Sequence, residues 1–124
     1  MKRAACVVVL GLGFACNKTK SQQEWREKAE AWMSDFFCQP TQYFRHCFDV
    51  DEAVCKQTMR QHVRACIAAA NLPDRFDRDD NKRFGKLVGS CAGGAYENDL
   101  TAKGKRRDAD PKCHDASAWQ PAEE

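Results

Sequence analysis

SQQEWREKAEAWMSDFFCQP, residues 21–40, carries the clearest helix signal in the chain. Ser21 and Glu24 match a capping box, in which each side chain accepts a hydrogen bond from the backbone amide of the other residue. Apolar residues then recur at helical spacing and form one broad stripe, made of Trp25, Ala29, Trp32, Met33, Phe36 and Phe37. Because Pro40 cannot continue a helix, the pattern predicts a helix over 22–38 whose aromatic residues belong to the core.

A second helix is predicted over 50–70, after a start signal formed by Asp49 and Glu52. One face of this helix carries Cys55, Met59, His62 and Cys66, so His62 is interpreted as a histidine at the edge of the core. Asn71-Leu72-Pro73 ends the helix. Between the first two helices, residues 41–48 suit a short helical stretch.

A third helix over 80–98 is indicated by apolar residues at helical spacing, namely Phe84, Leu87, Val88, Cys91, Ala95 and Tyr96. Gly85, Gly89 and Gly93 each lower its stability by about 1 kcal/mol relative to alanine, and together they would form a flat strip that another helix can approach. From residue 98 the chain is polar and is interpreted as a loop and tail held by Cys113. The predicted fold class is all-α, a small disulfide-stapled bundle of about three helices.

Six of the eight cysteines lie in this helical region: Cys38, Cys47, Cys55, Cys66, Cys91 and Cys113. In an oxidising compartment they are expected to form three disulfides. Cys55 and Cys66 cannot bond to each other, because a helix separates them by about 16 Å and a disulfide needs Cα atoms within about 7 Å. If the second and third helices turn around Pro73, residue 55 lies level with residues 91–95, which favours a Cys55–Cys91 bond. The pairing of the other four cysteines stays open.

The N-terminus has the organisation of an export signal. Lys2 and Arg3 precede the apolar run AACVVVLGLGFA at 4–15, and the chain becomes polar directly after Cys16. A membrane-spanning helix needs about 20 apolar residues, so this run is too short to be one. Gly13 and Ala15 are the small residues that ordinary signal peptidase requires, which predicts cleavage after Ala15. A buried first element of the fold is the remaining alternative.

The residues Gly-Phe-Ala-Cys at 13–16 also resemble the lipobox of bacterial lipoproteins, through Ala15 and Cys16. The resemblance implies cleavage before Cys16, a diacylglycerol on the Cys16 sulfur, and a tether that holds the domain close to the membrane. The cysteine count agrees, because loss of Cys6 with the signal leaves seven cysteines and a lipid on Cys16 leaves six for pairing. Asn17 differs from the aspartate associated with inner-membrane retention, which implies the outer membrane where one exists.

These predictions divide the chain into a signal peptide at 1–15, a lipidated cysteine and tether at 16–21, a helical domain at 22–113 and a polar tail at 114–124. Lys2 and Arg3 account for the whole formal charge of +2, so the exported chain is formally neutral. A neutral chain has no global field that attracts nucleic acid, and no nucleic-acid partner is expected.

Sequence motifs for catalysis or metal binding are not found. The cysteines lie too far apart for the usual spacing of a zinc site. Asp77, Asp79 and Asn81 occupy ligand positions of a calcium loop, but Lys82 and Val88 replace the glycine and glutamate that such a loop requires. The basic run KGKRR at 103–107 is bracketed by aspartates, as in a solvated loop. We therefore expect no catalytic residue, no metal ligand and no cofactor.

The leading functional hypothesis is a membrane-anchored lipoprotein of the bacterial cell envelope that binds an envelope protein or supports an assembly, without enzymatic activity. Its interaction surface would be an exposed apolar patch, for which Trp119 and the phenylalanines are candidates. One alternative is an exported protein that binds a small molecule between the first two helices, or an ion through Asp77 to Asn81. The other alternative is a soluble periplasmic or secreted protein cut after Ala15.

Overall fold

A computed structural model describes residues 7–9, 13–15, 19–107, 110–115 and 119, the first two ranges by their backbone alone. In chain order the elements are β1 Val7–Val9, β2 Gly13–Ala15, β3 Lys20–Ser21, α1 Gln22–Phe37, α2 Tyr43–Cys47, α3 Glu52–Ala69, β4 Arg75–Phe76, α4 Arg78–Ala102 and a 3-10 turn Pro111–His114. The all-α prediction is confirmed: three long helices form the bundle, and the expected short helical stretch is α2.

Each long helix begins at a side chain that satisfies its first backbone amides. Ser21 accepts a hydrogen bond from the Glu24 amide at 3.1 Å, while the Glu24 carboxylate pairs with Lys28, so only half of the predicted capping box forms. Asp51 caps α3 in place of the predicted Asp49. Asp77 caps α4 within a complete capping box, which starts that helix earlier than the sequence pattern indicated.

The three long helices pack around α3. It contacts both α1 and α4 extensively, whereas α1 and α4 contact each other much less. The core contains Trp25, Ala29 and Met33 from α1, Cys55, Met59, Val63, Cys66 and Ile67 from α3, and Phe84, Val88, Ala92, Tyr96 and Leu100 from α4. These positions follow the helical period of apolar residues in each sequence segment. The hydrophobic effect therefore buries the apolar face of each helix.

A two-stranded antiparallel ribbon holds the start of α1 against the start of α4. Lys20 pairs with Phe76, and Ser21 pairs with Arg75. The ribbon places the Trp25 ring 4.5 Å from the Phe76 ring in a stacked arrangement. The Trp25 indole N–H also donates to the Asn81 side-chain oxygen at 2.9 Å, so its polar group is satisfied despite burial.

Three disulfides connect the six cysteines of the domain: Cys38–Cys55, Cys47–Cys113 and Cys66–Cys91. The prediction of a Cys55–Cys91 bond was therefore wrong. With Cys66 opposite Cys91 in an antiparallel helix pair, residue 55 lies level with about residue 102, because both helices advance by the same rise per residue. The strand β4 lengthens the connection after Pro73 and moves the turn of the hairpin towards residue 78.

At the N-terminus, β1 and β2 pair antiparallel, with Val8 opposite Phe14. The predicted signal peptide, the predicted lipid attachment at Cys16 and most of the predicted tether lie outside the residues whose side chains are described. At the other end, the tail predicted from residue 114 overlaps the 3-10 turn that ends at His114. Trp119 packs there against Tyr43, with the two ring centroids 6.0 Å apart.

Candidate functional site

The most exposed tryptophan of the described chain lies on α1. Trp32 is 58% exposed and stacks on Phe36, with ring centroids 5.7 Å apart. Phe36 in turn meets Phe37 edge to face at 5.6 Å. Trp32 was predicted to be a core residue, and that prediction was wrong. The buried stripe of α1 runs through Trp25, Ala29 and Met33, and Trp32 lies at its margin, where no other described element covers it.

Phe37 continues this apolar surface towards α4. The tip of its ring lies 3.9 Å from the positions that a Cβ would occupy at Gly89 and at Gly93. Two glycines of the predicted strip, Gly89 and Gly93, thus receive the tip of an aromatic ring instead of a helix backbone, and a Cβ at Gly85 would meet nothing within 4 Å. We call the continuous set Trp32, Phe36, Phe37, Gly89 and Gly93 the aromatic track; it runs from α1 to α4.

Trp119, the other aromatic candidate for an exposed patch, is used structurally. Its indole N–H donates to the Lys112 carbonyl at 2.9 Å, and the Lys112 ammonium lies 4.7 Å from the ring centroid. The ring also packs beside Tyr43 and His46. It is half-buried, so Trp119 fastens the C-terminal segment onto α2 and offers much less free apolar surface than Trp32 does.

A polar recess of about 350 Å³ lies beside this segment, lined by His46, Arg107, Asp110, Pro111 and Cys113. The His46 Nε2 atom lies 2.9 Å from the Asp110 carboxylate, which also accepts the Lys112 backbone amide. That amide, and then His46, hold the pKa of Asp110 below its usual range. The Arg107 guanidinium binds Asp49 at 3.1 Å. The polar groups of the recess are therefore paired with each other or with Asp49, and the His46–Asp110 pair connects the C-terminal segment to α2.

Two further titratable side chains near α3, the half-buried His62 and the buried Tyr96, lie against each other. His62 is half-buried and its ring centroid lies 5.4 Å from that of Tyr96, as expected for a histidine at the edge of the core. Burial raises the pKa of Tyr96 to about 12, and the Thr58 side chain offsets this only partly. A phenol held neutral over this range packs the core and has no proton to exchange near neutral pH.

The aspartate-rich segment considered for calcium forms the first turn of α4. Asp77 and Asp80 exchange the two hydrogen bonds of the capping box, and Asn81 accepts the Trp25 indole N–H. In the part of the chain that the structure describes, no three histidine, cysteine, aspartate or glutamate side chains come together as metal ligands would. Of the three residues counted as calcium ligands in the sequence, Asp77 is thus engaged in starting the helix and Asn81 in positioning Trp25.

The basic run at 103–107 is neutralised by nearby carboxylates. Lys103 pairs with Asp99 at 3.2 Å and Arg106 pairs with Glu97 at 3.4 Å. The Arg106 guanidinium also donates to the Cys113 carbonyl at 2.7 Å and lies over the Phe48 ring. The sequence interpretation was a solvated loop; in the structure, Arg106 and Arg107 of this segment also make contacts within the domain.

None of the helices that the structure describes is both long and apolar enough to span a bilayer. Comparison with curated proteins and with solved structures gave no match for this chain. A protein-family model described as T2SS substrate NttA matches residues 19–104. The match begins just before β3 and ends just after α4, so it covers the whole three-helix bundle and five of its six cysteines. Because it spans more than half of the sequence, the chain belongs to the NttA family of T2SS substrates, a family of exported proteins.

Proposed function

We propose that this protein is secreted as a soluble chain and acts by binding a protein partner through the aromatic track, without catalysing a reaction. The observation that carries the binding role is Trp32, a tryptophan 58% exposed and already ordered by its stack on Phe36. Tryptophan is enriched among the residues that contribute most to protein interfaces, because it buries a large area with few rotatable bonds.

The shape around Trp32 supports the same role. Because Gly89 and Gly93 have no side chains, the tip of the Phe37 ring lies against α4 there, and the apolar surface continues from α1 to α4. Phe37 provides an apolar floor between the two helices. The histidine–carboxylate pair of His46 with Asp110 is by contrast engaged in holding the C-terminal segment.

Export is supported by the family description and by the six paired cysteines, which need an oxidising compartment to form. Transport by the type II secretion system is proposed for this chain from the name of its family. The test is to express the protein in its own bacterium with and without a functional type II system, and to measure its amount in culture medium. Equal amounts in both media would contradict this route.

The binding role is tested with a photo-crosslinking residue placed at position 32, and at position 54 as the matched control. Val54 is also an exposed apolar residue, 49% exposed, but it lies on α3 outside the track. We expect a covalent adduct with another protein in the medium, or with cells exposed to it, from position 32 only. Adducts of the same mass from both positions, none from position 32, or only a dimer of this chain would contradict binding of a separate partner at the track.

A second candidate is the membrane-anchored envelope lipoprotein, which rests on the lipobox resemblance at Ala15 and Cys16. The three disulfides use all six cysteines between 38 and 113, so none of these six is available to pair with Cys16. Intact mass distinguishes the two candidates. A membrane-bound species that starts at Cys16 with added acyl mass supports the lipoprotein, whereas a species in the medium that starts at Cys16 without lipid supports cleavage after Ala15.

A further inference from the structure

The three disulfides differ sharply in their access to solvent. Cys38, Cys55 and Cys47 are fully buried at 0% exposure, and Cys113 is 1% exposed. Cys66 is also buried, at 7%, but its partner Cys91 on α4 is an exposed residue. Cys91 is therefore the one exposed residue among the six cysteines of these three bonds, which makes Cys66–Cys91 the bond with the most access to solvent.

Thiol–disulfide exchange begins when a thiolate reaches a disulfide sulfur, so access decides which bond reacts in the folded protein. We propose that Cys66–Cys91 is a site of thiol–disulfide exchange that accepts low-molecular-weight thiols of the glutathione class. The external thiolate attacks the Sγ atom of Cys91, the sulfur–sulfur bond breaks, and Cys66 leaves as a thiolate that takes a proton from water. The product carries the external thiol as a mixed disulfide on Cys91.

A second external thiolate completes the reduction by attacking the mixed disulfide. It releases an oxidised thiol dimer and leaves Cys91 as a thiol. In total, two external thiols lose two electrons and two protons, and the protein gains them as the thiols of Cys66 and Cys91. Such a reductant is present in reducing compartments, where low-molecular-weight thiols keep cysteines reduced.

The bundle is built to stay folded after this exchange. Met59 and Val63 of α3, with Val88 and Ala92 of α4, are all buried at 1% exposure or less, and they lie in the core that both helices share. The buried Cys38–Cys55 bond continues to join α1 to α3. Exchange at Cys91 therefore produces a folded protein with a modified cysteine on an exposed face of α4, one helical turn after the exposed Leu87.

The test is to incubate the full chain, under native conditions, with increasing glutathione, to quench with acid, to alkylate the free thiols and to map the peptides. We expect glutathione on Cys91 and alkylation of Cys66 at least about tenfold faster than opening of the other two bonds, because those bonds require partial unfolding. The far-UV circular dichroism is expected to remain unchanged while only this bond is open.

Denaturing urea provides the control, because the three bonds should then open at similar rates once the fold no longer protects two of them. Opening of Cys38–Cys55 or Cys47–Cys113 first, or of all three bonds together in the native protein, would overturn the proposal. Glutathione attached to Cys66 instead of Cys91 would overturn the assignment of the attacked sulfur. Loss of the far-UV circular dichroism signal when the first bond opens would show that exchange requires unfolding, which also contradicts the proposal.

Discussion

Replacement of both Cys38 and Cys55 by alanine tests the connection between α1 and α3. The bond closes a separation of 17 residues. In the chain-entropy account, a loop of this length stabilises the folded state by about 3 kcal/mol, because the crosslink restricts the unfolded chain. Both sulfurs are fully buried, so their removal leaves a small cavity that adds about 1 kcal/mol. The expected loss in the free energy of unfolding is therefore about 4 kcal/mol.

The assay is urea denaturation of the oxidised wild-type and variant proteins, followed by circular dichroism at the helix band. For a domain of this size, the loss corresponds to a fall of about 20 °C in the melting temperature. The matched control replaces Cys66 and Cys91 by alanine. That bond closes 25 residues and is worth about 3.5 kcal/mol by the same account, with little cavity term since Cys91 is exposed.

A loss below about 1 kcal/mol for the Cys38 and Cys55 variant would refute the reasoning. A crosslink that restricts the unfolded chain stabilises the folded state by more than this, unless the bond is absent or the unfolded loop is already ordered. Peptide mapping of the oxidised wild-type protein separates these two explanations. A peptide pair that joins Cys38 to Cys55 would leave residual structure in the unfolded chain as the cause.

Four further outcomes are expected. Trp25→Phe should lower the free energy of unfolding, measured by urea denaturation, by about 1–2 kcal/mol. A double-mutant cycle with Asn81→Ala should return a coupling energy of about 1 kcal/mol, the value of one hydrogen bond, and additive losses would exclude that bond. Asp77→Ala should lower stability by about 1 kcal/mol through loss of the α4 cap, and an unchanged midpoint would argue against the capping role. Because the pKa of Asp110 is lowered in the folded protein, its contribution is present above the ordinary aspartate pKa, about 3.9, and is lost as pH falls through the lowered value; the stability of Asp110→Asn should vary less with pH than that of the wild type between pH 5 and 2. The pKa of Tyr96 is raised to about 12, so its contribution is fully present below about pH 10 and is lost as pH rises towards 12; ultraviolet titration should show one tyrosine ionising near that value, and ionisation of every tyrosine near pH 10 would contradict the burial.

The sequence determined the helices because their signals are local. Capping residues and the helical period of apolar positions act over one or two turns, so Ser21 and the stripe through Trp25, Ala29 and Met33 were sufficient to locate α1. The count of cysteines likewise indicated three disulfides without any knowledge of the fold. The start of α4 was placed too late since several aspartates in a row can each serve as a cap, and contacts with Trp25 select the turn that begins at Asp77.

Tertiary structure alone decided the disulfide pairing and the exposed surface. Pairing depends on the axial register of two helices, and β4 shifted that register enough to place Cys91 opposite Cys66 instead of Cys55. Exposure depends on how much of an apolar stripe the neighbouring helices cover. Trp32 remains in solvent although its spacing suits the core, since α1 and α4 contact each other only slightly. Trp119 is packed onto α2 although its polar surroundings suggest a free tail. Helical periodicity gives the direction in which a side chain points, and only the assembled bundle determines what it meets there.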